Sequence, residues 1–164
     1  MNHWQNGGCA CGAVRYSVAV RPMFTHCCHC TDCQRETGSA FALNAIVEGS
    51  AVSVAEGSPE PVVTPSASGK GQEIWRCPVC RVALWSHYPT RRRKLAFVRV
   101  GTLDEPGACP PNAHIFTRSK LPWLVLDDSV PAFPVFYDPN ALWPAESLAR
   151  RDLADRSPHV DAWE

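Results

Sequence analysis

Residues 25–34 read Thr25-His26-Cys27-Cys28-His29-Cys30-Thr31-Asp32-Cys33-Gln34, which places four cysteines and two histidines within ten residues. Three of these cysteines, Cys28, Cys30 and Cys33, form a C-x-C-x-x-C run. A helix does not bring residues i and i+2 to one face, and a strand does not bring residues i and i+5 to one face. The three thiols therefore converge only if the backbone turns between them. Converging thiolates repel one another unless a cation neutralises them, and zinc does so through Zn–S bonds of about 2.3 Å.

The number of ligands in this run suggests what the metal would do. Protein-bound zinc is tetrahedral, so three cysteine ligands leave one position for a small thiol or water, as in catalytic sites. A soft thiol suits zinc and becomes a nucleophile when the metal deprotonates it. We therefore predict a catalytic site at Cys28, Cys30 and Cys33. The alternative is a closed structural site whose fourth ligand is one of three neighbours: His26, His29 or Cys27.

Two further cysteine pairs have the spacing of a structural zinc site. Cys9 and Cys11 are two residues apart, so an extended backbone would direct both thiols to one side. Cys77 and Cys80 enclose a proline-containing turn with the C-x-x-C spacing of zinc knuckles. Four thiolates fill a tetrahedral site, so this set would join the start of the chain to its middle. The alternative is that each pair is an isolated redox or packing motif.

The remaining cysteines and histidines have simpler interpretations. Cys27 is predicted to be buried rather than a ligand, and Cys109 is predicted to be a bystander in a proline-rich turn. The ring of His29 should face away from the metal because this residue lies between two ligands. We expect His114 to be structural.

Composition favours a cytosolic, mainly β protein. The 164 residues carry 16 basic and 16 acidic side chains, and this zero net charge argues against a nucleic-acid or membrane surface. The first residues form no apolar signal core, and no apolar run approaches the ~20 residues of a membrane span. Nine cysteines in a reduced compartment indicate metal or catalysis rather than disulfides. Fifteen prolines, against a usual share of about 5 %, favour short strands and turns over long helices.

The apolar pattern predicts short strands at 13–20, 39–47, 51–55, 62–63, 73–76, 82–85, 95–100, 113–117 and 123–126. A short helix is predicted over 31–37, ended by Gly38, and a second one within 140–155. The turn at 48–50 predicts that the flanking strands form a hairpin. The basic run at 91–94 is interpreted as a solvated loop. Three tryptophans are expected in the core: Trp75, Trp85 and Trp123.

The cysteine motifs taken together resemble a known family. They read Gly8-Cys9-x-Cys11-Gly12, Cys28-His29-Cys30-x-x-Cys33 and Cys77-x-x-Cys80, followed by His114-Ile115-Phe116-Thr117-Arg118-Ser119 and Pro122-Trp123. This order is similar to that of the glutathione-dependent formaldehyde-activating enzymes, a family that includes centromere protein V. The resemblance covers residues 7–126. Two features depart from it, since Arg81 stands where many members have glycine and Cys27 adds a thiol beside the three-cysteine run.

The resemblance implies a β-tent of twisted antiparallel sheets stapled by zinc, to which the composition of 140–155 adds a short C-terminal helix. We expect a zinc-binding domain over 1–130 and a C-terminal extension over 131–164 that packs on the same domain and ends in a frayed tail. It also implies two zinc ions per chain. One is a structural ion on Cys9, Cys11, Cys77 and Cys80, and the other is a catalytic ion on Cys28, Cys30 and Cys33.

The family's activity is the addition of glutathione to formaldehyde, which gives S-(hydroxymethyl)glutathione and is classed as a carbon–sulfur lyase reaction. The expected partners are therefore a small thiol such as glutathione and a small aldehyde. Candidate cations for the glutathione carboxylates are Arg118, Lys120 and the 91–94 run. The alternatives are a zinc-stapled binding module or glutathione carrier without turnover, and a thiol redox protein. A pocket that opens at Cys30 and Cys33 would favour the enzyme.

Overall fold

The computed structural model of the chain describes residues 4–66 and 68–157. The ten strands of this part are β1 Gln5–Gly8, β2 Arg15–Val18, β3 Phe24–Cys28, β4 Ala42–Glu48, β5 Val52–Glu56, β6 Glu60–Thr64, β7 Gln72–Arg76, β8 Ala83–Tyr88, β9 Arg92–Arg99 and β10 Ala113–Ile115. Its helices are α1 Thr31–Thr37, α2 Pro139–Leu142 and α3 Ala145–Arg156. The predicted mainly β fold with a short C-terminal helix is confirmed. No helix in the described ranges is long and apolar enough to cross a membrane.

The strands form two sheets. One sheet has seven strands in the order β10-β3-β4-β9-β8-β7-β6, and the other has three in the order β1-β2-β5. Neighbouring strands are antiparallel, as predicted, except that β10 runs parallel to β3 and pairs His114 with Cys27. This parallel pairing brings the late His114 segment to the strand that carries the cysteine-rich stretch.

The predicted hairpin between 39–47 and 51–55 is wrong. The first of these segments contains β4, which pairs with β3 and β9, whereas β5 pairs with β2 in the other sheet. A single 3₁₀ turn at Gly49–Ala51 carries the chain from one sheet to the other. This turn packs closely on β9, because a Cβ atom on Gly49 would lie 1.8 Å from the carbonyl oxygen of Arg93.

The predicted strand at 123–126 is also wrong. These residues follow a turn in which the Nζ of Lys120 donates to the carbonyl oxygens of Leu121 and Leu124, at 3.1 and 2.6 Å. Trp123 is 68 % exposed and so does not belong to the core. Trp85 is buried as expected, and Trp75 stacks on it with the ring centroids 5.8 Å apart.

The basic run at 91–94 is not a solvated loop. Most of it begins strand β9, and three of its four side chains bind other parts of the chain. Arg93 pairs with Glu73 at 2.9 Å, while Arg91 binds the carboxylate of Asp155 and Lys94 binds its backbone carbonyl. The run therefore anchors helix α3 to the seven-stranded sheet.

Residues of the C-terminal segment pack on the same sheet. Trp143 stacks on Phe24 of β3 with the ring centroids 5.4 Å apart. The hydroxyl of Ser147 donates to the carbonyl oxygen of Met23 at 2.6 Å. The division of the chain at residue 130 stays a prediction. The predicted frayed tail falls at 158–164, which lies outside the described residues.

Candidate metal centres and the adjoining cavity

Three thiols converge where strand β3 passes into helix α1. Cys28 is the last residue of β3, Cys30 is the N-cap of α1, and Cys33 lies in its first turn. Their sulfur atoms all lie within 4.8 Å of one another, and each residue is at least nine-tenths buried. The helix was predicted, and Gly38 ends it in the left-handed conformation with φ of 62°. The turn between strand and helix therefore achieves the convergence that the spacing required.

The candidate fourth ligands are directed elsewhere. Across residues 4–66 and 68–157, no further cysteine, histidine or carboxylate joins this group of three. The Nδ1 of His26 lies 3.3 Å from the hydroxyl of Tyr137, and the Nε2 of His29 lies 3.0 Å from the Nδ1 of His114. None of these side chains therefore joins the three sulfur atoms as a fourth ligand in the described part of the chain.

The chemistry of the three sulfurs fits a cation. Hydrogen bonding from Cys28 and Cys33 lowers the pKa of Cys30, so this sulfur ionises most readily. The same sharing of protons, together with burial, raises the pKa of Cys28 well above its ordinary value. The protein alone therefore favours a single thiolate here. Ionisation of all three thiols needs a positive charge at their centre, which a soft divalent metal supplies.

A cavity of about 360 Å³ opens onto these thiols. Its volume falls within the range of about 300–1,000 Å³ that is typical of small-molecule sites. Much of its wall is apolar and is formed by Tyr88, Pro89, Phe97, Ile115, Phe116 and Phe136. Two charged side chains reach the lining, Asp32 from α1 and Lys70 from the loop before β7. The cavity can therefore hold a small molecule with an apolar part and few charges.

His26 belongs to this wall and is held by residues of the C-terminal segment. The Nε1 of Trp143 donates to the hydroxyl oxygen of Tyr137 at 3.1 Å, and that hydroxyl lies 3.3 Å from the Nδ1 of His26. Since Tyr137 already accepts from Trp143, its own proton can be donated to the Nδ1, which leaves the proton of the imidazole on Nε2. Burial, assisted by the charge of Arg99, lowers the pKa of His26 to about 3, so the ring is neutral at physiological pH.

The sequence did not assign these roles. His26 was considered only as a fourth ligand, and no motif pointed to Tyr137. Trp143 sits beside a proline after several irregular residues, and its packing on β3 is a long-range contact that local pattern does not reveal.

A second group contains four thiols. The sulfur atoms of Cys9, Cys11, Cys77 and Cys80 all lie within 4.8 Å of one another. The backbone N–H of Val14 donates to the Cys9 sulfur at 3.3 Å, and that of Val79 donates to the Cys77 sulfur at 3.4 Å. Although burial opposes ionisation, the bond from Val14 helps to hold the pKa of Cys9 below its ordinary value. The group links the β1–β2 turn to the β7–β8 turn and so connects the two sheets.

The route by which the first pair converges differs from the prediction. Cys9 and Cys11 do not lie on an extended backbone, because the N–H of Gly12 bonds the carbonyl oxygen of Cys9 at 3.2 Å and closes a turn. Their sulfur atoms are 3.5 Å apart. After the second pair, Arg81 adopts φ of 62°, a conformation that favours glycine. Arg81 therefore occupies a position where glycine would be less strained.

A third group joins residues that the sequence treated separately. Cys27, His29 and His114 have ligand atoms within 4.8 Å of one another, and all three are buried. Burial lowers the pKa of both imidazoles and raises the pKa of Cys27 to about 12. These shifts favour a neutral histidine pair that ties the start of α1 to β10. Cys109 is also buried, with its sulfur 3.4 Å from the hydroxyl of Thr25.

The expected carboxylate-binding cations do not line the cavity. Arg118, Lys120 and residues 91–94 are absent from its wall among the described residues, and Lys70 takes this position instead. Lys70 lies between Gly69 and Gly71 in a serine- and glycine-rich loop, a setting that the sequence presented only as irregular. The only sequence feature that could have indicated a role for Lys70 was its place as a single cation between two glycines.

Comparison with known proteins found a matching family and a similar solved structure. The sequence model of a family described as "Glutathione-dependent formaldehyde-activating enzyme" matches residues 4–119 of the chain. A crystal structure of a Rhodobacter sphaeroides protein is similar at 22 % sequence identity and a TM-score of 0.47, over 60 % of this chain and 87 % of that one.

Proposed function

Because this chain belongs to the glutathione-dependent formaldehyde-activating enzyme family, we propose that it adds a small thiol to a small aldehyde, with glutathione and formaldehyde as the family's pair. The product of that pair is S-(hydroxymethyl)glutathione, and the reaction is of the carbon–sulfur lyase type. The observation that carries the proposal is the cavity of about 360 Å³ with the thiols of Cys28, Cys30 and Cys33 in its wall.

The two cysteine groups have different roles in this proposal. Cys28, Cys30 and Cys33 would hold a zinc ion beside the cavity, and the four-cysteine group would hold a second ion with a structural role. When bound at the three-cysteine group, zinc would act as a Lewis acid that lowers the pKa of the incoming thiol. The role of the protein is then to bring the aldehyde against that sulfur and to stabilise the charge that develops on oxygen.

The addition balances without an external redox partner. A lone pair of the thiol sulfur forms the C–S bond to the carbonyl carbon, and the π electrons of the carbonyl move to its oxygen. The proton lost by the thiol finally resides on that oxygen as the product hydroxyl. The neutral His26 donates its Nε2 proton in a hydrogen bond to the oxygen as negative charge develops, and Tyr137 and Trp143 hold the ring in position.

The charged groups of the lining orient the thiol. Lys70 pairs with a carboxylate of the glutathione-like substrate, and Asp32 accepts from its ammonium group. The aromatic wall excludes water around the aldehyde carbon, which favours attack by sulfur over hydration.

The test measures the exchange of ¹³C-formaldehyde with S-(hydroxymethyl)glutathione by NMR exchange spectroscopy, because this addition is fast without a catalyst. The zinc-loaded protein should raise the exchange rate in proportion to its concentration, and the Cys30→Ser protein should not. An exchange rate equal to the uncatalysed one would overturn the enzymatic proposal. If glutathione still binds tightly in that case, the protein is a carrier, which is the runner-up function.

A further inference from the structure

We propose that Arg99 is the internal counter-cation of the three-cysteine centre. It is a positioning residue whose buried positive charge stabilises the anionic metal–thiolate group inside the protein. The inference rests on the proposed function, in which Cys28, Cys30 and Cys33 hold a zinc ion. It adds a residue outside the cysteine motifs that determines how tightly this one metal is held.

The first observation is that Arg99 is buried and that no acidic side chain of residues 4–66 and 68–157 pairs with it. This last residue of β9 is only 6 % exposed. Its Nη1 donates to the Oδ1 of Asn44, while its Nε and Nη2 are buried with no hydrogen-bond partner within the described chain. Two other arginines show the usual arrangement, since Arg93 pairs with Glu73 and Arg150 pairs with Glu48. A buried cation without an opposite charge is costly, so one is expected nearby.

The second observation is the location of Arg99 in the sheet. The strand register pairs His26 with Asn44 and Asn44 with Arg99, so the three residues form a row across β3, β4 and β9 on one face. Cys28 lies two residues beyond His26 on the same face of β3. Asn44 lines the cavity together with the three thiols. The guanidinium group therefore contacts a residue of the wall that surrounds the candidate centre, because its Nη1 donates to Asn44.

The positive charge of Arg99 complements the negative charge that the centre would carry with zinc bound. A zinc dication with three thiolates carries one net negative charge, and binding of a substrate thiolate adds another. The centre is almost completely buried, so this charge also lacks full hydration. Arg99 and the centre each supply what the other lacks. The Nε and Nη2 of Arg99 have no sulfur as a hydrogen-bond partner among the described residues, so the guanidinium acts on the centre through its charge, which arginine keeps at physiological pH.

An anion from solvent is a weaker candidate for this role. Arg99 also borders a second cavity of about 560 Å³, where Arg76 binds Glu36 and Arg81 binds Glu60. The unpartnered nitrogens of Arg99 are themselves buried, so an ion in that cavity does not reach them without rearrangement. The thiolates are the negative groups already inside the fold on the side of Asn44.

The test compares zinc affinity at the two centres by chelator competition, without thiol or aldehyde present. Arg99→Gln keeps a hydrogen-bond donor for Asn44 but removes the positive charge. This variant should bind zinc at least tenfold more weakly at the three-cysteine centre, and its zinc affinity at the four-cysteine centre should not change. Arg99→Lys keeps the charge and should stay within about threefold of the natural protein. Arg150→Gln, which loses an ion pair elsewhere, is the matched control and should not change either affinity.

Unchanged affinity in Arg99→Gln, or equal weakening at both centres, would overturn the proposal. A second measurement avoids dependence on a variant that folds poorly. In a Cys30→Ser background, where the centre cannot form, Arg99→Gln should raise the melting temperature, because it removes an uncompensated buried charge. A lower melting temperature in both backgrounds would mean that Arg99 is only structural. Absence of zinc from the three-cysteine centre of the natural protein would instead refute the proposed function itself.

Discussion

The sulfur of Cys30 accepts a hydrogen bond from the backbone N–H of Cys33 at 3.3 Å. One residue therefore caps helix α1 and also belongs to the three-thiol group. The cap fixes the orientation of the first helical turn, which places Cys33 opposite the end of β3. The local structure of the helix terminus and the geometry of the candidate metal site are thus the same arrangement.

This double role makes Cys30→Ser an informative substitution. Serine is among the best N-cap residues, so helix α1 and the fold should survive, and the metal-free protein should change in stability by less than about 1 kcal/mol. The three-cysteine centre loses one soft ligand, so zinc per chain should fall from two to one, and glutathione binding should disappear. Circular dichroism, metal analysis and calorimetric titration check these outcomes. Normal glutathione binding by the folded variant would contradict the assigned site.

Loss of the four-cysteine centre should be more damaging. Cys77 is fully buried and lies where the two sheets are joined, so Cys77→Ser should release that zinc and remove much of the stability of the domain, which is about 5–15 kcal/mol for typical proteins. Thermal denaturation with metal analysis measures the effect. Cys27→Ala is the matched control, and it should retain two zinc ions because Cys27 belongs to the buried histidine group. A third zinc that is lost in Cys27→Ala would contradict this assignment.

Lys70 should affect the thiol substrate rather than the metal. Because its side chain is exposed, Lys70→Met should weaken glutathione binding only severalfold, corresponding to about 1 kcal/mol. Binding of 2-mercaptoethanol, which has no carboxylate, should not change. Arg118→Met does not alter the cavity wall and should behave like the natural protein toward both thiols. Equal weakening for both thiols in Lys70→Met would show that this residue shapes the cavity rather than pairing with a carboxylate.

The ion pair between Glu48 and Arg150 should make the attachment of α3 sensitive to acid. The carboxylate of Glu48 accepts two hydrogen bonds from the guanidinium of Arg150, at 2.8 and 2.7 Å. Burial opposes ionisation of Glu48, but these bonds hold its pKa below the ordinary value of 4.5. Its stabilisation is therefore complete above about pH 4.5 and is lost as pH falls through the lower folded pKa.

Urea unfolding of Glu48→Gln across this range provides the test. The variant should lose about 1–3 kcal/mol at pH 7, and its difference from the natural protein should vanish in strong acid. Glu60→Gln, which breaks an exposed pair with Arg81, should change stability by less than about 1 kcal/mol. A difference for Glu48→Gln that persists unchanged at low pH would exclude the ion pair as its cause.

Local sequence signals predicted the parts of the fold that local chemistry determines. Helix α1 was predicted over 31–37 with its end at Gly38, and the thiol groups were predicted from cysteine spacing. The strand β9 was recognisable because its apolar residues are contiguous. For helix α1, strand β9 and the three-cysteine group the decisive residues lie within a few positions of one another, whereas the four-cysteine group was recognised because each of its two distant pairs has ligand spacing.

The errors share a different origin. A turn at 48–50 is compatible with a hairpin or with a change of sheet, and only the packing of Gly49 against Arg93 favours the second. The contacts that hold His26 lie more than 100 residues away along the chain. Arg99 carries no motif at all, since its importance depends on the row it forms with Asn44. Such relationships depend on strand register, which sequence pattern does not specify.

The most direct test of the account is an anomalous-scattering map at the zinc edge, from crystals of the reduced, zinc-loaded protein soaked in glutathione. We predict two zinc peaks per chain. One should lie among Cys9, Cys11, Cys77 and Cys80, and the other among Cys28, Cys30 and Cys33, with the glutathione sulfur as its fourth ligand. No peak at the three-cysteine centre, or a fourth ligand supplied by the protein itself, would contradict the account.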